Sequence, residues 1–219
     1  MRLQSAIFDM DGTLLDSMGM WVNLGPDVLR DLGREARPDL RRRLQALTLR
    51  QGAAYCKEAY DLPQSVDELE AAIARHVSDF YHTKVQAKPG VVKFLSLLKM
   101  QGVWMYVATA TDRPLAEAAL RHAGLDQYFR GLVTSAETGD SKETSPEIFE
   151  RAMRRLRSNK KDTVVFEDAL HAVRTAKAAG FRVAAVYDAS AQDDQTELKA
   201  LADYYISSYE EMFETEALE

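Results

Sequence analysis

The stretch Ala6-Ile7-Phe8-Asp9-Met10-Asp11-Gly12-Thr13-Leu14-Leu15-Asp16-Ser17 decides the fold. An apolar strand near the start of the chain runs into two carboxylates at alternate positions. Residues i and i+2 of a strand share a side, and at the C-terminal end of a buried parallel strand that side opens into the crevice where α/β proteins bind ligands. Asp9 and Asp11 are therefore expected in one small volume. Bare carboxylates that close push one pKa upward, unless a divalent cation neutralises them or they divide the work of nucleophile and acid.

Beyond this strand the apolar period changes. From about 17 to 85 the chain reads as helix, with Trp21, Val22, Leu24, Val28, Leu29 and Leu32 at helical spacing and further helices expected over Leu40 to Leu49, Gln51 to Tyr60 and Val66 to Tyr81. Asp61 and Pro63 mark a turn, and Ser65 with Glu68 has the form of a capping box. From Pro89 onward helices alternate with apolar strands, the pattern of crossover units that build a parallel sheet. Strands are expected at Trp104 to Ala108, Leu132 to Thr134, Thr163 to Phe166, Val183 to Val186 and Tyr204 to Ile206. The intervening helices are expected at Val91 to Met100, Pro114 to Ala123, Pro146 to Leu156, Leu170 to Ala179 and Gln195 to Leu201. The reading is an α/β chain: a Rossmann-like parallel sheet core of residues 1–16 and 86–219, flanked by helices, with an inserted all-helical cap of residues 17–85. The two crossings between these parts make a natural hinge.

Four segments at or near strand ends carry groups that phosphoryl transfer needs. Asp9 and Asp11 are the first. Thr109, in Val107-Ala108-Thr109-Ala110-Thr111, places a hydroxyl at a strand end, where it either donates to phosphoryl oxygens or satisfies its own backbone. Lys142 lies in the loop Gly139-Asp140-Ser141-Lys142 ahead of the helix opening at Pro146, and Glu167-Asp168 form a second acidic pair. An EF-hand reading of Asp9 to Asp16 fails, because Gly12 comes too early and no bidentate Glu closes the loop.

This order of elements resembles the haloacid dehalogenase-like superfamily, specifically its phosphatases with a helical cap inserted after the first motif, and the resemblance spans essentially the whole chain. It implies Asp9 as nucleophile, Asp11 as general acid and base, Thr109 and Lys142 as stabilisers of phosphoryl charge, and Mg²⁺ bound by Asp9, Asp11 through its carbonyl, Asp168 and Glu167. It extends substrate contact to Gly12, Thr13 and Ala110, and to Thr48 and Arg50 in the insertion loop Ala46-Leu47-Thr48-Leu49-Arg50. Three residues separate Lys142 from Pro146, so this loop is one residue longer than the family pattern, and Ala169 replaces a common Ser. The expected activity is Mg²⁺-dependent hydrolysis of a small phosphorylated metabolite through an aspartyl-phosphate. Acid assistance from Asp11 suits an alkoxide leaving group, whereas a halide needs none. The related β-phosphoglucomutases carry a His at the position of Trp21, which argues against the mutase alternative. A catalytically silent phosphate- or metal-binding module is the alternative of another class.

The bulk numbers bound the remaining choices. The chain has 219 residues, 46% hydrophobic and 28% charged, with a formal net charge of -6. That field offers no general attraction to nucleic acid or an anionic membrane, and no apolar stretch is long enough to span a bilayer. A single cysteine, Cys56, excludes an internal disulfide, and with strand-like sequence at the start the expected location is the cytoplasm. No partner protein is evident. His76, His82 and His122 read as surface residues, Arg41-Arg42-Arg43 as a solvated helix face and Cys56 as a small core residue. His171 follows the acidic pair closely enough to approach the site, yet reads as structural because a carboxylate already supplies the base.

Overall fold

The computed structural model describes residues 3–44, 47, 49–142 and 144–213. It contains six strands, β1 (Ser5–Phe8), β2 (Trp104–Thr109), β3 (Leu132–Thr134), β4 (Thr163–Glu167), β5 (Arg182–Val186) and β6 (Tyr204–Ile206). All pairs are parallel and the order is β3-β2-β1-β4-β5-β6. β1 is central and buried throughout, as a strand covered on both faces requires. The strand order reverses direction between β1 and β4, so the carboxyl ends of these two strands flank the crevice where doubly wound sheets bind ligands.

The helices are α1 (Met18–Asp31), α2 (Leu40–Leu44), α3 (Leu49–Ala59), α4 (Val66–Thr83), α5 (Val91–Met100), α6 (Arg113–His122), α7 (Ser135–Thr138), α8 (Glu147–Arg155), α9 (Leu170–Ala178) and α10 (Gln195–Leu201). Strand residues alternate between two cores. On one face Ile7, Ala108, Val133, Val165 and Val183 pack with Ile148 and Phe149 of α8 and Val173 of α9. On the other, Phe8 stacks on Phe166 with ring centroids 4.3 Å apart, and Phe94 of α5 meets Phe166 edge-on at 5.7 Å. Aromatic pairs of this kind contribute about 1 kcal/mol each beyond area burial, and Phe8 and Phe166 immediately precede Asp9 and Glu167.

The chain divides into two compact units, Met1–Ser17 with Val85–Glu219, and Met18–Lys84. In the helical unit Leu29, Leu40, Ala53, Cys56, Leu62 and Leu69 form a core. The capping box of α4 is present in both directions between Ser65 and Glu68, and the Trp21 indole donates to the Tyr81 hydroxyl at 3.0 Å. Two expectations change here. The single helix expected over Leu40 to Leu49 is interrupted: α2 covers Leu40–Leu44, Leu47 is not helical, and α3 begins at Leu49, inside the stretch read as a loop. Arg50 anchors that first turn by pairing with Asp67 and Glu70 of α4. Among the described residues no helix is long and apolar enough to cross a membrane.

Candidate active site

β1 and β4 run side by side to their ends, where the Asp9 amide donates to the Phe166 carbonyl at 2.9 Å. That register sets Asp9 beside Glu167 and Asp168. The three carboxylates are buried, and each offers an oxygen within 4.8 Å of the others. Lys142 reaches into the same space, its Nζ 2.5 Å from Asp9 Oδ1 and 2.6 Å from Glu167 Oε1. At 7% exposure this lysine is a buried partner and not a solvated loop charge.

One ammonium faces three carboxylates, and the electrostatics follow. Burial pushes Asp9 well above its ordinary value; Lys142 opposes this, while Glu167, Asp168 and Asp11 add to it. Burial and then Glu167 push Asp168 up to about 7, against the Thr13 hydrogen bond, Lys142 and Lys88. Burial alone would lower Lys142, yet Asp9 and Glu167 hold it above the usual lysine range. Buried charge of one sign without compensation is costly. An all-oxygen donor set carrying that surplus suits a hard divalent cation.

Individual contacts separate the acidic residues by task. Glu167 Oε2 accepts the amides of Asp168 and Ala169 at 3.0 and 3.1 Å, and Oε1 accepts Lys142, so both of its oxygens have protein partners. Asp168 Oδ1 accepts the Thr13 hydroxyl at 2.8 Å, while Oδ2 lies where a Gly12 Cβ would stand, 2.4 Å away. With a φ of +82° as well, position 12 requires glycine. The Asp11 carboxylate is outside the group of three. Ser17 donates to its Oδ1 at 2.6 Å and Thr111 to its Oδ2 at 2.7 Å.

Two of the expected substrate contacts, Gly12 and Thr13, have partners within the protein. The Gly12 amide donates to the Leu15 carbonyl at 3.0 Å and the Thr13 hydroxyl to Asp168, so both groups serve the protein's own turn and carboxylate. Thr109 is fully buried and its Oγ1 accepts the Thr111 amide at 3.0 Å, an arrangement that leaves the hydroxyl proton to donate elsewhere. Ala110 and His171 line a cavity of about 400 Å³ that Lys142 also borders. Arg50 is engaged within the helical unit, and Thr48 lies outside the described residues. Sequence reasoning missed Ser17 and Thr111 as holders of Asp11, although both hydroxyls stand within the two motifs it singled out.

The sequence profile of the haloacid dehalogenase-like hydrolases matches residues 6–186. The chain belongs to this family. Among the relatives of this haloacid dehalogenase-like hydrolase is a phosphorylated carbohydrates phosphatase of Thermotoga maritima, 28% identical over 178 residues, with 81% of this chain and 82% of the relative covered. Hexitol phosphatase B of Escherichia coli K12 is 30% identical over 218 residues, covering 96% of this chain and 95% of the relative. Among solved structures, a putative β-phosphoglucomutase from Thermotoga maritima superposes with a TM-score of 0.84 at 27% identity, covering 96% of this chain and 97% of that one.

Proposed function

We propose that this hydrolase removes phosphate from a small phosphorylated metabolite, of the sugar or polyol phosphate class, by two successive displacements at phosphorus. The observation that carries the reading is the meeting of Asp9, Lys142, Glu167 and Asp168 in one buried space at the strand-order reversal. The phosphatases named above support the substrate class.

In this reading Asp9 attacks phosphorus and the ester oxygen leaves with a proton from Asp11, giving an alcohol and an aspartyl-phosphate. Asp11 then takes a proton from the water that attacks the same phosphorus, which releases inorganic phosphate and restores Asp9. Lys142 and the Thr109 hydroxyl stabilise charge on the non-transferring oxygens. Asp9, Asp168 and the Asp11 carbonyl would hold Mg²⁺, which when bound supplies charge neutralisation between carboxylate and phosphoryl group. Glu167 orients Lys142 and fixes the turn after β4 through its two amide contacts. Transfer to water is preferred to transfer to a second sugar hydroxyl on the sequence alone: where the related β-phosphoglucomutases carry a histidine this chain has Trp21, and an indole cannot shuttle protons as an imidazole does.

Phosphate release from p-nitrophenyl phosphate, with and without Mg²⁺, tests the proposal directly. Wild type should turn over with metal and Asp9→Asn should not; equal rates for the two would leave only a binding module. A panel of hexitol and sugar phosphates then ranks substrates.

A further inference from the structure

The basic side chains on the sheet unit are largely matched by acids. Arg113 pairs with Glu117 and Glu137, Arg154 with Glu147, Lys160 with Glu150, Arg174 with Glu197 and Lys177 with Asp203. Several arginines depart from this pattern, Arg121 and Arg182 among them, but three others share one place. Arg130, Arg155 and Arg157 line a single cleft of about 600 Å³ together with Tyr106, and among the described residues none of the three guanidiniums has a carboxylate partner.

The fold brings them there from separate elements. Tyr106 lies on β2, and Arg130 precedes β3 with its amide bonded to the Met105 carbonyl at 2.9 Å. Arg155 ends α8, and Arg157 follows in the turn that closes the helix. The cleft is distinct from the reaction centre, because Thr109 marks the catalytic end of β2 whereas Tyr106 and Arg130 lie toward its start. One cation in the last turn of a helix is favourable. Three around one cleft repel each other unless an anion sits among them.

Two details of the local chain agree. Arg157 adopts a left-handed φ of 53°, and the Ser158 amide bonds back to the Met153 carbonyl at 3.2 Å; glycine is the usual residue at that point of a helix end. An arginine there is held in a costly backbone conformation. At Gly131 a Cβ would stand 3.0 Å from the Tyr106 hydroxyl, so the absence of a side chain lets that phenol lie against the backbone.

We infer that this cleft is a second anion site, for a small molecule carrying two or more phosphoryl groups. Guanidinium forks match phosphate oxygens bidentately, and the phenol hydroxyl adds a neutral donor. The volume falls in the range of small-ligand sites. The three arginines border one cleft, whereas a polynucleotide or membrane surface calls for a basic face on a protein of net charge -6.

Tripolyphosphate in EDTA is the probe, read by calorimetry and by the fluorescence of Trp104, whose ring lies against the Arg130 guanidinium. Wild type should bind saturably. Arg155→Gln/Arg157→Gln should bind at least tenfold more weakly, with turnover of p-nitrophenyl phosphate unchanged within twofold. Arg157→Gly should melt at a higher temperature, since glycine suits the left-handed backbone, and still bind more weakly; a purely structural arginine would not separate these two effects. Equal tripolyphosphate affinity in wild type and the double variant would overturn the assignment. So would double-variant loss of binding to a single-stranded oligonucleotide or to phosphatidylserine vesicles with no loss for tripolyphosphate.

Discussion

Thr111 Oγ1 donates to Asp11 Oδ2 at 2.7 Å across 100 residues of sequence, and Ser17 Oγ occupies the other oxygen at 2.6 Å. Two hydroxyls on one carboxyl can each reverse direction, so the pair accommodates the carboxylate and the acid alike. That property suits a group that must give a proton and later accept one. Thr111→Val keeps the shape and removes one partner. We expect its turnover of p-nitrophenyl phosphate to fall roughly tenfold and that of Asp11→Asn by about a hundredfold or more, with Mg²⁺ affinity by calorimetry retained in both. An unchanged rate in Thr111→Val would separate the threonine from the proton's path.

Lys142→Met removes the one buried ammonium between Asp9 and Glu167. Taking one partner from a buried ion pair costs about 3–5 kcal/mol, because the remaining charge is left desolvated. Urea unfolding in EDTA should show a loss of that order, and added Mg²⁺ should recover part of it. Activity should drop at least about a hundredfold, on the scale of losing one donor to transition-state charge. Stability equal to wild type in EDTA would show the ammonium to be unnecessary to the carboxylates.

Thr13→Val tests what holds Asp168. Its hydroxyl fixes Oδ1 and thereby aims the other oxygen, and such supporting contacts alter metal affinity by roughly 10–100-fold. Calorimetric titration with Mg²⁺ should show weakening in this range with the fold retained. Gly12→Ala should be worse, since its methyl would meet Asp168 Oδ2 at 2.4 Å on a backbone that disfavours any side chain. Metal affinity equal to wild type in both would mean that Asp168 does not bind the ion.

Much of this arrangement was legible in the sequence, for a physical reason. Buried parallel strands are apolar runs that end abruptly where the sheet meets the crevice, so Leu132–Thr134 and Tyr204–Ile206 stand out with their bounds, and so do the polar residues that follow such runs. α5 and α10 also read directly, from helical periodicity bounded by glycine or by a change of pattern. α7 escaped because four residues carry no periodicity, although the capping box between Thr134 and Glu137 was its available signal. The inward aim of Thr13 and the gathering of Arg130, Arg155 and Arg157 depend on side chains distant in sequence meeting in space. No local pattern encodes that.

The pair of Lys88 and Asp188 belongs to the same class and carries a pH signature. Lys88 stands where the chain re-enters the sheet unit, its amide bonded to the Leu14 carbonyl at 2.9 Å, and its Nζ lies 2.8 Å from Asp188 Oδ2 and 2.7 Å from the Tyr187 carbonyl. Burial alone would raise the Asp188 carboxyl, but Lys88 and the Ser190 hydroxyl and amide hold it below its ordinary value. A carboxyl depressed in the folded state stabilises the fold fully above its unfolded pKa of about 3.9, and that stabilisation disappears as pH falls through the lower folded value. Asp188→Asn should therefore cost about 3 kcal/mol near neutrality and progressively less below pH ~4, where the wild-type carboxyl also becomes neutral. Urea unfolding of both proteins from neutral pH down to the acid limb gives the difference as a function of pH; a gap that stays constant down that limb would remove the ion pair from the account.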